Sequence, residues 1–141
     1  MNSKAIVVVD DEETDRFLMR RLFDRSGVEA DFIEFENGDR FVDAITPSGA
    51  GSADLLEKYS AVYVFLDINM PGMSGFDVIG EIERLINFGT FTSQHVPVLV
   101  WSSSSNPTDR MNALASSCVS AYVVKPNNMR EAETLFLHHV T

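Results

Sequence analysis

The sequence predicts an α/β domain, a parallel five-stranded sheet covered by helices on both faces. Two observations carry that prediction. Four short apolar runs, 5–9 (AIVVV), 61–66 (AVYVFL), 96–101 (VPVLVW) and 121–124 (AYVV), are rich in β-branched residues and do not alternate with polar ones. Strands apolar on both faces belong inside a sheet with helices above and below it. Between the runs, apolar residues recur at three- and four-residue spacing, the period of an amphipathic helix. Regular β-α alternation implies right-handed crossovers and a doubly wound sandwich.

In chain order, strand 5–9 leads into a helix marked by Phe17, Leu18, Met19, Leu22 and Phe23. Run 32–36 (FIEFE) is the next strand, and Glu34 and Glu36 suit a sheet edge, where charge blocks unwanted pairing. Phe41, Val42 and Ile45 mark the second helix, followed by a flexible loop at 47–52 (PSGAGS). Strand 61–66 precedes a helix carrying Ile79, Ile82 and Ile86, and residues 87–95 (NFGTFTSQH) make a longer than usual connection to the fourth strand. The fourth helix takes its stripe from Met111, Leu114, Ala115 and Cys118, the fifth from Met129, Ala132, Phe136 and Val140.

A length of 141 residues suits one domain, 1–141, and 45% hydrophobic residues suffice for a buried core. With 21 acidic against 11 basic side chains, the net charge of −10 repels phosphate backbones, so no nucleic-acid role is expected. No apolar run approaches the roughly 20 residues that span a bilayer. The opening MNSKAIVVVDDEE turns acidic too soon for a secretory signal, so no membrane association is expected. The single cysteine, Cys118, excludes an internal disulfide framework and fits a cytoplasmic protein.

In open α/β sheets, ligands bind outside the carboxyl ends of the strands. Here the first strand ends in Asp10-Asp11, the third in Asp67, the fourth in Ser102-Ser103 and the fifth in Lys125-Pro126. Acids at the start of a helix commonly do no more than favour its dipole, and that is the plain reading of Asp10 to Glu13 taken alone. Asp67 and Lys125 change the weighing, because Lys125 is the only lysine after position 58 and directly follows an apolar strand. Three clustered carboxylates raise one another's pKa unless a cation sits among them. Mg²⁺ takes one or two carboxylates, keeps waters and accepts a phosphate oxygen. Asp67 can then attack phosphorus, with Lys125 and the Ser102 hydroxyl holding phosphoryl oxygens.

These residues, as VVVDDEE, FLDINMPGMSGFD, PVLVWSS and AYVVKP, resemble the receiver domain of two-component response regulators over nearly the whole chain. The resemblance implies a (βα)₅ flavodoxin-like fold with strand order 2-1-3-4-5. It implies a signalling switch rather than an enzyme, in which Asp67 accepts a phosphoryl group from a phosphohistidine of a histidine kinase or phosphotransfer protein. By the same resemblance Asp10, Asp11, Asp67 and the backbone carbonyl of Asn69 bind Mg²⁺. Ser102 and Tyr122 are the switch residues, Asn69 and Ser104 the variable positions that tune phosphoryl lifetime, and Pro126 is often cis.

Arg16, Met19 and Arg20 are candidates for docking the histidine-bearing partner. Trp101, beside Ser102, is expected to report on the pocket. Because only 15 residues follow Pro126, the expectation is a stand-alone receiver without an effector domain that signals by protein contacts. Acting as a phosphate sink or relay is the alternative. A weaker resemblance, to small receivers that partner bacterial phytochromes, leaves a homodimer through the last helix open. A Mg²⁺-dependent aspartyl-phosphate phosphatase needs a second acid two residues beyond the nucleophile, where this chain has Asn69.

Overall fold

In the computed structural model, which describes residues 3–47, 54–126, 132 and 134–140, five strands form one parallel sheet. They are β1 (Lys4–Val9), β2 (Asp31–Phe35), β3 (Ala61–Leu66), β4 (Val98–Ser102) and β5 (Val119–Val124). Their order is β2-β1-β3-β4-β5, with every neighbouring pair parallel. This is the (βα)₅ flavodoxin-like arrangement, and it leaves the Glu34-bearing β2 at an edge.

Successive residues of a strand face opposite sides, so each central strand feeds two cores. Val7, Val9, Val64, Leu66, Val98 and Val100 face one way, toward helices α2 (Gly38–Ile45), α3 (Asp54–Lys58), α4 (Gly75–Asn87) and α5 (Pro107–Leu114). Ile6, Val8, Phe65, Leu99 and Trp101 face the other way, toward α1 (Glu13–Ser26) and α6 (Leu135–His139). Phe136 fixes α6 to this second core: fully buried, it meets Phe23 and Phe65 edge-on, with ring centroids 6.0 and 5.1 Å apart. Edge-to-face rings add roughly 0.5–1.5 kcal/mol to the gain from burial.

Several expectations need correction. Helix α5 ends at Leu114, and Cys118 lies beyond it, buried in the turn into β5. Met111 and Leu114 are exposed, and Ala113 is the helix's buried residue. The apolar spacing there continued past the helix end by coincidence, through the Ser116-Ser117 turn. Arg20, expected to be available for docking, pairs with Glu34 across to β2. Helix α3 was not anticipated, because five residues are too few to show a period. The loop at 48–52 and Met129 lie outside the described residues.

Candidate functional site

The carboxyl ends of β1, β3, β4 and β5 meet at one edge of the sheet, and the backbone continues the ladder there. The Asp67 amide donates to the Val9 carbonyl at 3.0 Å, the Asp10 amide to Phe35 at 3.1 Å and the Lys125 amide to Ser102 at 2.7 Å. Asp10, Asp67 and Lys125 are therefore held by the sheet itself. The β3–α4 loop is pinned just as closely. The Gly75 amide donates to the Ile68 carbonyl, and a Cβ at Gly75 would lie 2.5 Å from the Asp67 carbonyl and the Ile68 Cα. Only glycine permits that approach. Ser74 and Asp77 then close a capping box that starts α4.

Oxygens of Asp10, Asp11 and Asp67 all lie within 4.8 Å of one another. Asp10 and Asp67 are buried, at 0% and 4% exposure. Asp10 Oδ1 accepts the Glu12 amide and Oδ2 the Lys125 ammonium at 3.0 Å. Asp67 Oδ1 accepts the Asn69 amide, while its Oδ2 lies 3.5 Å from Lys125 Nζ. Asp11 Oδ1 is buried without a hydrogen-bond partner. Such an orphaned acceptor among acids is what a cation-binding site presents.

Electrostatics agree with that reading. Burial pushes the Asp67 carboxyl up to about 6; Lys125 and the Asn69 amide pull it down, and the charges of Asp10 and Asp11 push it further up. Burial likewise raises Asp10, against the Glu12 amide and Lys125. Burial disfavours the charge on Lys125, but its bonds to Asp15 and Asp10 outweigh that and raise its pKa. One lysine thus undercompensates the acids around it, which favours a hard divalent ion with oxygen ligands.

The structure brings Asp10, Asp11, Asp67 and Lys125 together as expected. Ser102 sits beside them at the end of β4, fully buried, its Oγ accepting the Ser104 amide at 3.1 Å. Tyr122 lies on the α5 side of the sheet, where its hydroxyl donates to the Ser104 carbonyl at 2.8 Å and its ring is 7% exposed. The ring therefore already occupies the interior, and the backbone of Ser104, by its amide on one side and its carbonyl on the other, joins it to Ser102. The Ser104 hydroxyl donates to Asp109, while Asn69 is exposed.

Other expectations shift. The Lys125–Pro126 peptide is trans. Met19 is fully buried and cannot touch a partner. Arg16 is tied down, donating to the Asp10 carbonyl at 2.8 Å and pairing with Glu34 at 3.3 Å, so it braces the site from behind. Trp101, next to Ser102 in β4, is buried in the core opposite to that of Tyr122. The sequence reading missed Asp15, whose carboxylate lies 2.7 Å from Lys125 Nζ. Its one available signal was position: an acid in the first turn of α1, four residues after Asp11.

Comparison with known proteins decides the family. The model of the response regulator receiver domain matches residues 6–136. The chain belongs to that family. Among curated relatives, this receiver is 28% identical over 134 residues to the two-component response regulator ARR17 of Arabidopsis thaliana, covering 94% of this chain and 82% of that one. It spans far less of others, 17% of one and 15% of another. Among solved structures, the Mn²⁺-bound form of response regulator Rcp1 superimposes with a TM-score of 0.75 at 22% identity, over 98% of this chain and 97% of that one. Response regulator RPA3017, from red light signalling of R. palustris, gives the same score and identity over 98% and 94%. These two show the fold. The family consists of phosphorylation-dependent signalling switches whose receiver domains bind a divalent metal. Among the described residues no helix is long and apolar enough to cross a membrane.

Proposed function

We propose that Asp67 accepts a phosphoryl group from a phosphohistidine of a histidine kinase or phosphotransfer protein, and that this cytoplasmic receiver passes the change on by protein contacts. The observation that carries the reading is a buried Asp67 between two further acids and one ammonium, at the mouth of a parallel sheet. Bound by Asp10, Asp11, Asp67 and the Asn69 carbonyl, Mg²⁺ would supply charge neutralisation for the incoming phosphoryl group. The Mn²⁺-bound form of Rcp1 supports a divalent ion here.

An Asp67 carboxylate oxygen attacks phosphorus; the phosphorus–nitrogen bond of the donor breaks, and its electron pair leaves with the imidazole. The product is an acyl phosphate. Lys125, 3.5 Å from Asp67 Oδ2, is placed to bond a phosphoryl oxygen. The exposed Asn69 amide cannot protonate a leaving group, which argues against sustained phosphatase chemistry.

An acyl phosphate brings charge of the order of −1.5 to −2 at neutral pH. The Ser102 hydroxyl, now accepting the Ser104 amide, turns to donate to a phosphoryl oxygen. Movement at Ser104 reaches Tyr122 through the carbonyl that holds its hydroxyl. Signal transfer therefore runs through the backbone of one residue of the β4–α5 loop, Ser104, whose amide bonds Ser102 and whose carbonyl bonds Tyr122. Exposed Met111, Leu114, Val124 and Leu137 on α5, β5 and α6 offer apolar surface to a downstream protein.

Intact-mass measurement after incubation with Mg²⁺ and acetyl phosphate tests the reading. The wild type should gain one phosphoryl group, and Asp67→Asn or added chelator should abolish the gain. An equal gain in the variant, or none in the wild type with any small donor, would overturn it.

A further inference from the structure

We propose that Asp15 is a positioning residue that holds Lys125 back from the phosphoryl site, so that its removal tightens rather than weakens phosphoryl binding. The proposal rests on the phosphoacceptor reading of Asp67 and adds a residue outside the acidic cluster, which comprises Asp10, Asp11 and Asp67.

Lys125 has three N–H donors and three carboxylates around it. Its Nζ lies 2.7 Å from Asp15 Oδ2, 3.0 Å from Asp10 Oδ2 and 3.5 Å from Asp67 Oδ2. The shortest contact is thus to the acid that takes no part in phosphoryl chemistry, and the longest is to the nucleophile. Asp15 is not free to follow the lysine. It stands in the first turn of α1, and the next residue, Arg16, anchors that turn to the Asp10 carbonyl and to Glu34.

A phosphoryl group on Asp67 asks the ammonium to move toward new oxygens, stretching or giving up its bond to Asp15. With 29% of its side chain exposed, Asp15 can be rehydrated when the lysine leaves, whereas the fully buried Asp10 cannot. Asp15 is therefore the contact that yields. It also adds negative charge near an approaching anion, and both effects point the same way.

A first-turn acid has a plainer role in favouring the helix dipole. That role alone predicts that Asp15→Asn lowers stability and leaves anion binding unchanged or weaker. The latch predicts the opposite sign for binding.

Isothermal titration with beryllofluoride, a phosphoryl mimic, in saturating Mg²⁺ separates the two. Asp15→Asn is expected to bind about three- to tenfold more tightly than wild type, the scale of one partly exposed charged contact. Asp15→Glu, which keeps the charge, should stay within about twofold of wild type on the same scale. Asp24→Asn, an exposed acid at the far end of α1, controls for net charge and should also stay near wild type. Equal or weaker binding by Asp15→Asn, or an equal gain in Asp24→Asn, overturns the latch while leaving the phosphoacceptor reading intact. Failure of folded wild type to bind beryllofluoride overturns both.

Discussion

Replacing Asp67 should stabilise this protein in the absence of metal. Asp67 is 4% exposed and its carboxyl is pushed up to about 6 from an ordinary 3.8, chiefly by burial. A raised carboxyl pKa means the folded state disfavours the charge. The cost is absent below pH 3.8, grows as pH rises toward 6 and is full above that. A gap of about two pKa units corresponds to about 3 kcal/mol at neutral pH. The substitution Asp67→Asn removes the charge but also takes one carboxylate from Lys125, so a gain of about 1–3 kcal/mol is expected. Urea unfolding in a chelator at pH 7.5 and pH 4 measures it. The variant should be more stable at the higher pH and within about 0.5 kcal/mol of wild type at the lower. Destabilisation at pH 7.5, or a gain independent of pH, would refute the view that the site holds excess negative charge.

The same titration governs metal. Divalent-ion affinity, followed by calorimetry, should weaken as pH falls below about 6, approaching tenfold per pH unit for the one proton that must leave Asp67. An affinity flat between pH 7 and 5 would place the ion elsewhere. Lys125→Ala should retain metal binding, by removing a competing cation, yet lose beryllofluoride affinity by tenfold or more, on the order of one charge-assisted bond. Phe136→Ala should cost about 3–5 kcal/mol in urea unfolding, because its ring joins Phe23 and Phe65 and fixes α6. Ser102→Ala should still take up a phosphoryl group by mass, while the Tyr122 ring signals in NMR lose their response to it.

Strands β1, β3 and β4 were legible because buried parallel strands are continuous apolar runs, and nothing else in a short chain looks like them. Asp10, Asp67 and Lys125 were legible for a different reason: each directly follows an apolar run, with Asp11 next after Asp10, and strand ends meet at one edge. Asp15 was not, since its partner Lys125 is distant in sequence and an acid in a first turn has an ordinary explanation. Arg16 looked like a docking residue, yet its guanidinium turns inward because the Asp10 carbonyl and Glu34 offer acceptors there. Cys118 was placed on a helix by a spacing that ignored the Ser116-Ser117 turn beyond the helix end. Tyr122 was found by resemblance, but its inward setting depends on an acceptor, the Ser104 carbonyl, that side-chain patterns do not encode.

In the proposed function, phosphoryl transfer ends on the Asp67 carboxylate. After treatment with acetyl phosphate and Mg²⁺, borohydride reduction converts an acyl phosphate to a stable alcohol that peptide mapping can locate. One reduced position is expected, Asp67, dependent on Mg²⁺ and absent in Asp67→Asn. Reduction at Asp10, at Asp11 or at a residue away from the sheet edge would contradict it.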